Sequence, residues 1–219
     1  MRPIAPPIRW ALSTCRARSS CRVRCASDRT IGHRGLPAAM PFLTKERGRM
    51  DKIAALIAKD EIRALSGAYM RGLDRRDADL MAGVFWPDST TDYGFFQGSG
   101  PEFVTFAQAM LTQHLGNLHL LGQINIDLDG AQAYGEVYYF AWHRIMDGEA
   151  PTDLIIAGRY ADRYEQRDGV WKIAHRSELI DWVRSDPASD HYLGRITGAL
   201  LGGHGEADRT SQRAWLAKA

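Results

Sequence analysis

From about residue 113 onward, the hydrophobic repeat of this chain changes from the helical period to a period of two. The rest is built around two Asp-Gly pairs. NLHLLGQINIDL runs up to Asp129-Gly130 and is followed by AYGEVYYFAWHRI; IIAGRYADRYEQR runs up to Asp168-Gly169 and is followed by VWKIAHRSELIDW. Asp-Gly between two alternating runs is a strong short-range signal for a hairpin, because both central residues of a tight primed turn need positive φ. Two hairpins in series require an antiparallel sheet.

The preceding segment has the other period. Ile53, Leu56, Ile57, Ile62, Leu65, Tyr69 and Leu73 recur at helical spacing, a long amphipathic stripe. The helix is expected to loosen in Asp74-Arg75-Arg76-Asp77. A short helix over 79–85 should end before Trp86-Pro87, because the residue before proline disfavours helix. TTDYGFFQG reads as a short strand, and Pro101 suits the first turn of a helix running to about Gln113. Helices first and antiparallel strands afterwards give an α+β layout, a curved sheet folded around helices.

Charge divides the chain. Residues 1–49 carry eleven Lys and Arg against Asp28 and Glu46, a net of +9, and the remainder carries −7. The head is rich in Arg, Ser and Pro and holds all three cysteines (Cys15, Cys21, Cys25). It reads as a disordered extension. It resembles an organelle transit segment in composition, but the preferred reading is that translation starts at Met40 or Met50 and the stretch is inert. Domain limits are set at 1–49 for this extension, 50–186 for the folded domain and 187–219 for a tail containing GGHG. Such a tail could be a flap, a partner contact or loose chain. No apolar run reaches the roughly 18–20 residues of a membrane span. A cysteine-free domain fits a reducing cytoplasm, and its acidic balance argues against nucleic acid as the ligand.

The first hairpin allows a register argument. With Asp129-Gly130 as a two-residue loop, Leu128 faces Ala131, and His114 falls opposite Ile145. His143 then lies diagonally from His114 on one face, roughly 7–8 Å away. Leu118, Leu120, Ile124 and Ile126 share that face with Val137, Tyr139 and Ala141, so it should point inward. His119 takes the opposite parity with Gln123, Asn125 and Asp127, reads as outward-facing and receives no role. Gly116 could introduce a bulge and break this register. Tyr138, Phe140 and Trp142 make the outer face apolar as well, which suggests contact with another subunit in a homodimer or homotrimer, unless the helices or tail cover it. Across the second hairpin, Asp162 is expected to face His175 as a structural pair.

YMRGLDRRD, TDYGFF, TQHLGN, AYGEVYYFAWH, GRYADRYEQRDGVWKIAHR and the terminal DW, in that order and spacing, resemble the SnoaL-like branch of the nuclear transport factor 2-like superfamily over about residues 51–182. The resemblance implies a cone: a long helix lying in a strongly bent antiparallel sheet, with an apolar pocket at the wide end. Its nearest chemical likeness is to scytalone dehydratase and the bile-acid dehydratases. Carried over by position, it implies an acid at Asp74, tyrosines at Tyr69 and Tyr93, and histidines at His114 and His143. Tyr160 stands where scytalone dehydratase uses an asparagine, and the arginine of the bile-acid enzymes falls near Ile180. Tyr160, Trp86 and Tyr139 are expected to contact substrate.

The implied reaction is dehydration of a hydrophobic cyclic hydroxy-carbonyl compound, without cofactor. His114 would act as base and acid, Asp74 as its orienter, Tyr69 and Tyr93 as donors to the carbonyl oxygen, and His143 as an auxiliary acid. Polyketide cyclization and ketosteroid-type isomerization use similar pockets. A non-catalytic binding module, like a dioxygenase small subunit, is a reading of another class. Two histidines and a carboxylate could form a facial metal site, but the family resembled works without metal.

Overall fold

The structure, a computed structural model, describes residues 52–189 and 192–212, with 214 and 217. The basic extension at 1–49 lies outside the described residues. The chain runs α1 (Lys52–Asp74), α2 (Ala78–Gly83), β1 (Phe85–Asp92), β2 (Gln97–Ser99), α3 (Gly100–Leu111), β3 (Gly116–Asp129), β4 (Gln132–Asp147), β5 (Ala150–Arg167) and β6 (Val170–Pro187). The six strands form one sheet in the order β2-β1-β6-β5-β4-β3, and α1 packs across it on β3 and β6. The α+β architecture is as expected. The sheet is mixed, because β1 runs parallel to β6.

Local chemistry sets the element ends. Ser99 and Glu102 form a reciprocal capping box at the start of α3, with Pro101 in its first turn. Asp77 caps α2 through the Leu80 amide. α2 is shorter than the 79–85 expected, and Phe85-Trp86-Pro87 opens β1 instead. Pro87 sits in the interval between Phe85 and Thr90 where pairing with β6 is interrupted, so its missing N–H costs no ladder bond. Ile62, Tyr69 and Leu73 of the α1 stripe are buried, whereas Ile53, Leu56 and Ile57 in its first turns are more than half exposed.

The turns explain the register. Asp168-Gly169 is a two-residue loop with both residues at positive φ, as read from the sequence. The first hairpin turns one residue later, at Gly130-Ala131, so Asp129 rather than Leu128 closes the ladder, opposite Gln132. A bulge then falls between Leu121 and Ile124. One extra residue in a strand exchanges its two faces beyond that point. Ile124, Ile126 and Leu128 therefore point toward the helices, and past the bulge Asn117, His119 and Leu121 do. Leu118 and Leu120 are turned out, 42% and 54% exposed. The inward assignment of those two leucines and the outward one of His119 are thus corrected. A second bulge, between Arg163 and Tyr164, places Asp162 opposite Arg176 instead of His175. His175 hydrogen-bonds Thr90 and Ser177.

Candidate active site

The site is assembled at the C-terminal end of α1. Gly72 lets that turn close on α2, since a Cβ there would lie 2.7 Å from that of Met81. The helix stops in a Schellman arrangement: Arg76 N–H donates to Leu73 O, Asp77 N–H donates to Gly72 O, and Arg76 takes φ +53°. Arg76 also donates to His114 O at 2.9 Å, tying the helix end to the turn before β3.

The tail covers the other side. Gly205 N–H donates to Arg75 O at 2.6 Å, Arg75 donates to Gly203 O, and His204 Nδ1 lies 3.1 Å from Asp74 O. Asp208, buried, accepts from the Gly203 and Thr210 amides and pairs with Arg75 at 3.4 Å. These contacts hold its carboxyl down at about 2, with the Thr210 hydroxyl contributing most. The GGHG stretch is thus part of a strap across the end of α1.

Asp74, 6% exposed, accepts three hydrogen bonds. They come from Asn117 Nδ2 at 3.1 Å, the His119 amide at 3.1 Å and His119 Nδ1 at 2.7 Å. The imidazole that meets this carboxylate is therefore His119, not His114. The register built without the bulge had sent His119 to the outer face. The contact with the carboxylate places a proton on Nδ1, so in the neutral ring Nε2 of His119 is the nitrogen with the lone pair.

His114 and His143 do come together, with ring centroids 5.0 Å apart, and His143 lies 5.0 Å from His119. His114 sits in the turn after α3, and its Nδ1 and that of His143 are buried without hydrogen-bond partners. Burial, with Arg76 and His119 adding to it, lowers the His114 pKa to about 4. Burial together with His119 and His114 lowers that of His143 to about 3. Both rings are neutral at pH 7, which does not suit the acid role expected of each; the base role expected of His114 needs a neutral ring, but Asp74 is not its partner.

Beyond the dyad lies an aromatic interior. The hydroxyls of Tyr69 and Tyr93 are 2.9 Å apart. Tyr160 meets Tyr69 edge-on and stacks on Tyr139 at 4.7 Å. Burial pushes the Tyr69 pKa up to about 12, against the pull of Arg176, and that of Tyr93 well above the ordinary value. Both stay protonated and can donate. Arg176 is fully buried between the Tyr69 and Tyr160 rings, 4.3 and 4.2 Å from their centroids. Asp162 holds it through two bonds of 2.7 Å, and its Nη1 has no hydrogen-bond partner. Tyr139 donates to Glu178 Oε1 at 2.8 Å. Trp86 belongs elsewhere. Its indole N–H reaches Glu165 O, and its ring lies under Arg167 and Lys172 at the end of the β5–β6 hairpin.

Asp74 and His119 form one wall of an open cleft of about 290 Å³ between α1 and β3, with Gly67, Met70 and Leu121. Among the described residues, no group of three His, Cys, Asp or Glu side chains is placed to hold a metal ion.

Sequence reasoning missed His119, Asn117, Arg176 and Glu178. The signal for the first two was present: Leu120-Leu121 breaks the alternation immediately before Gly122, the mark of a bulge.

The model of the SnoaL-like domain family matches residues 54–177. Hexachlorocyclohexane dehydrochlorinase 1 of Sphingobium indicum is 27% identical over 161 residues, covering 69% of this chain and 98% of that protein. A crystal structure of a type 2 hexachlorocyclohexane dehydrochlorinase superposes with a TM-score of 0.57 at 20% identity, over 71% of this chain and 99% of that one. A scytalone dehydratase-like protein of Novosphingobium aromaticivorans does so with a TM-score of 0.53 at 20% identity, over 70% and 95%. At these identities the structural likenesses establish the fold.

Proposed function

The chain belongs to the SnoaL-like domain family, and on that premise we propose that it is a cofactor-independent lyase whose base is His119. The reading is carried by the 2.7 Å contact between His119 Nδ1 and Asp74 Oδ1, both side chains less than a tenth exposed. Asp74 fixes the tautomer that leaves Nε2 free and stabilises the imidazolium once Nε2 has taken a proton. General base help of this kind contributes about 10²–10⁴-fold in rate.

The substrate proposed is a hydrophobic cyclic hydroxy-carbonyl compound. His119 removes the proton next to the carbonyl, and the Tyr69–Tyr93 hydroxyl pair donates to the developing enolate oxygen. Arg176 lies over the Tyr69 ring and adds positive potential. The hydroxyl departs from the neighbouring carbon. His114 and His143, neutral, keep the dyad in a partly dehydrated corner. Loss of hydrogen chloride by the same base is the second reading, favoured by the sequence likeness to a dehydrochlorinase.

The outer sheet face, where Phe140 and Trp182 are in register across Ala157 and 42% and 47% exposed, supports assembly into a homodimer or homotrimer. No described helix is long and apolar enough to cross a membrane. Cytoplasmic residence is the proposal that fits a domain without cysteine.

The test is turnover of a panel of cyclic β-hydroxy ketones by His119→Ala and Asp74→Asn, with thermal unfolding as a control. Both variants should lose about 10²–10⁴-fold in kcat and keep their fold. Full activity in His119→Ala, with activity lost in His114→Ala, would refute the assignment.

A further inference from the structure

We propose that Glu178 is a second catalytic group of this site, the acid that protonates the departing oxygen, so that the leaving group is a hydroxyl and not a halide. The inference rests on the elimination reading above. It adds the group that decides what is eliminated.

Glu178 lies on β6 directly opposite Tyr160 of β5 and so shares its buried face. Tyr139 of β4 reaches the same spot and donates its hydroxyl to Oε1, which leaves Oε2 to carry a proton. On the other side of β4, Tyr139 is two positions along from Ala141, the partner of His119 on β3. Base and acid thus stand on one sheet face, close enough for the imidazolium formed at His119 to act on Glu178. Arg176 of β6 also faces Glu178 but is bonded to Asp162, so Glu178 has no guanidinium of its own. Burial outweighs Tyr139, Arg176 and His119 and raises the Glu178 pKa above the ordinary carboxylate value. Tyr139 is also held by its stack on Tyr160.

The chemistry explains its use. Chloride leaves as a stable anion, whereas hydroxide is a poor leaving group until it is protonated. His119 Nε2 takes the α-proton, and the C–H electrons pass through the enolate to form the C=C bond. The C–O bond breaks as its oxygen takes the proton of Glu178 and leaves as water. Imidazolium and carboxylate remain, and one proton passed from His119 to Glu178 through solvent restores both.

The experiment compares a cyclic β-hydroxy ketone with its β-chloro counterpart as substrates of the full chain and of Glu178→Gln, which keeps an acceptor for Tyr139. Hydroxyl loss should fall by about 10²–10⁴-fold, at least about tenfold more than chloride loss. Glu178→Asp should recover part of it. Equal losses on the two probes would make Glu178 a packing residue and overturn the inference while leaving His119 untouched. Loss of both activities in His119→Ala tests the parent reading separately. Infrared difference spectra of wild type minus Glu178→Gln at neutral pH need no substrate. A protonated carboxyl band is expected, and carboxylate bands alone would also overturn the inference.

Discussion

Replacing Asp162 by Ala should be the most damaging single change in the interior of the sheet. It strands a guanidinium. Arg176 and Asp162 have side chains that are 0% exposed. The two 2.7 Å bonds between them are the hydrogen bonds that hold Arg176 Nε and Nη2. Removing one partner of a buried ion pair costs about 3–5 kcal/mol, because the remaining charge keeps its desolvation penalty. Tyr164 loses its 2.6 Å acceptor in the same step, roughly another 1 kcal/mol. Against a typical domain stability of about 5–15 kcal/mol this is about a quarter or more of the total. At about 2–4 °C per kcal/mol for a domain of this size, the combined loss of about 4–6 kcal/mol should lower the unfolding midpoint by roughly 8–24 °C. Urea unfolding with a constant slope gives the free energy directly. The control is the double variant Asp162→Leu with Arg176→Met, which removes both charges and should recover most of the loss. A single Asp162→Ala variant within about 1 kcal/mol of wild type would refute the reasoning, since it would mean that the guanidinium has access to water.

Two further outcomes follow from the site. His143 and His114 have folded pKa values of about 3 and about 4, below the ordinary 6.5, so the unfolded chain binds their protons first. Stability should hold above about pH 7 and fall as pH drops below about 6.5. Urea midpoints at pH 8 and 5.5 test this; a rise on acidification would contradict it, and replacing both rings by Gln should flatten the fall. In the tail, Asp208→Ala removes the acceptor of the Gly203 and Thr210 amides and the partner of Arg75. Amide exchange over 203–211 should quicken, and kcat should drop with little change in the unfolding midpoint. Unchanged exchange would show that the strap does not depend on Asp208.

The fold was legible because it is written in periods and turns. The helical stripe up to Leu73, the capping chemistry of Ser99, Pro101 and Glu102, and the two Asp-Gly signals are local facts. The site was legible only in part. Asp74, Tyr69, Tyr93, Tyr139, Tyr160 and His143 stand on buried faces, but which histidine meets Asp74 depends on counting residues along β3. One bulge reverses that count, and its one local sign is the broken alternation at Leu120-Leu121 before Gly122. Asp162 was paired with His175 for the same reason, a bulge on the neighbouring ladder. Trp86 was misplaced because an aromatic residue beside a proline says nothing about which end of a sheet it will cover. Tail contacts with Asp74 and Arg75 join residues about 130 positions apart, and no local pattern carries that information.

β3 is the last strand of the sheet, with β4 as its single neighbour. His119 therefore rides on the margin of the structure, while its supporting arginine and tyrosines sit in the middle. Margins fray at lower free energy than centres. The catalyst would fall silent under warming or mild denaturant while most of its interior still stood. The working range of the protein would then be set by how firmly one outermost ribbon is pinned, and much less by the melting of the whole.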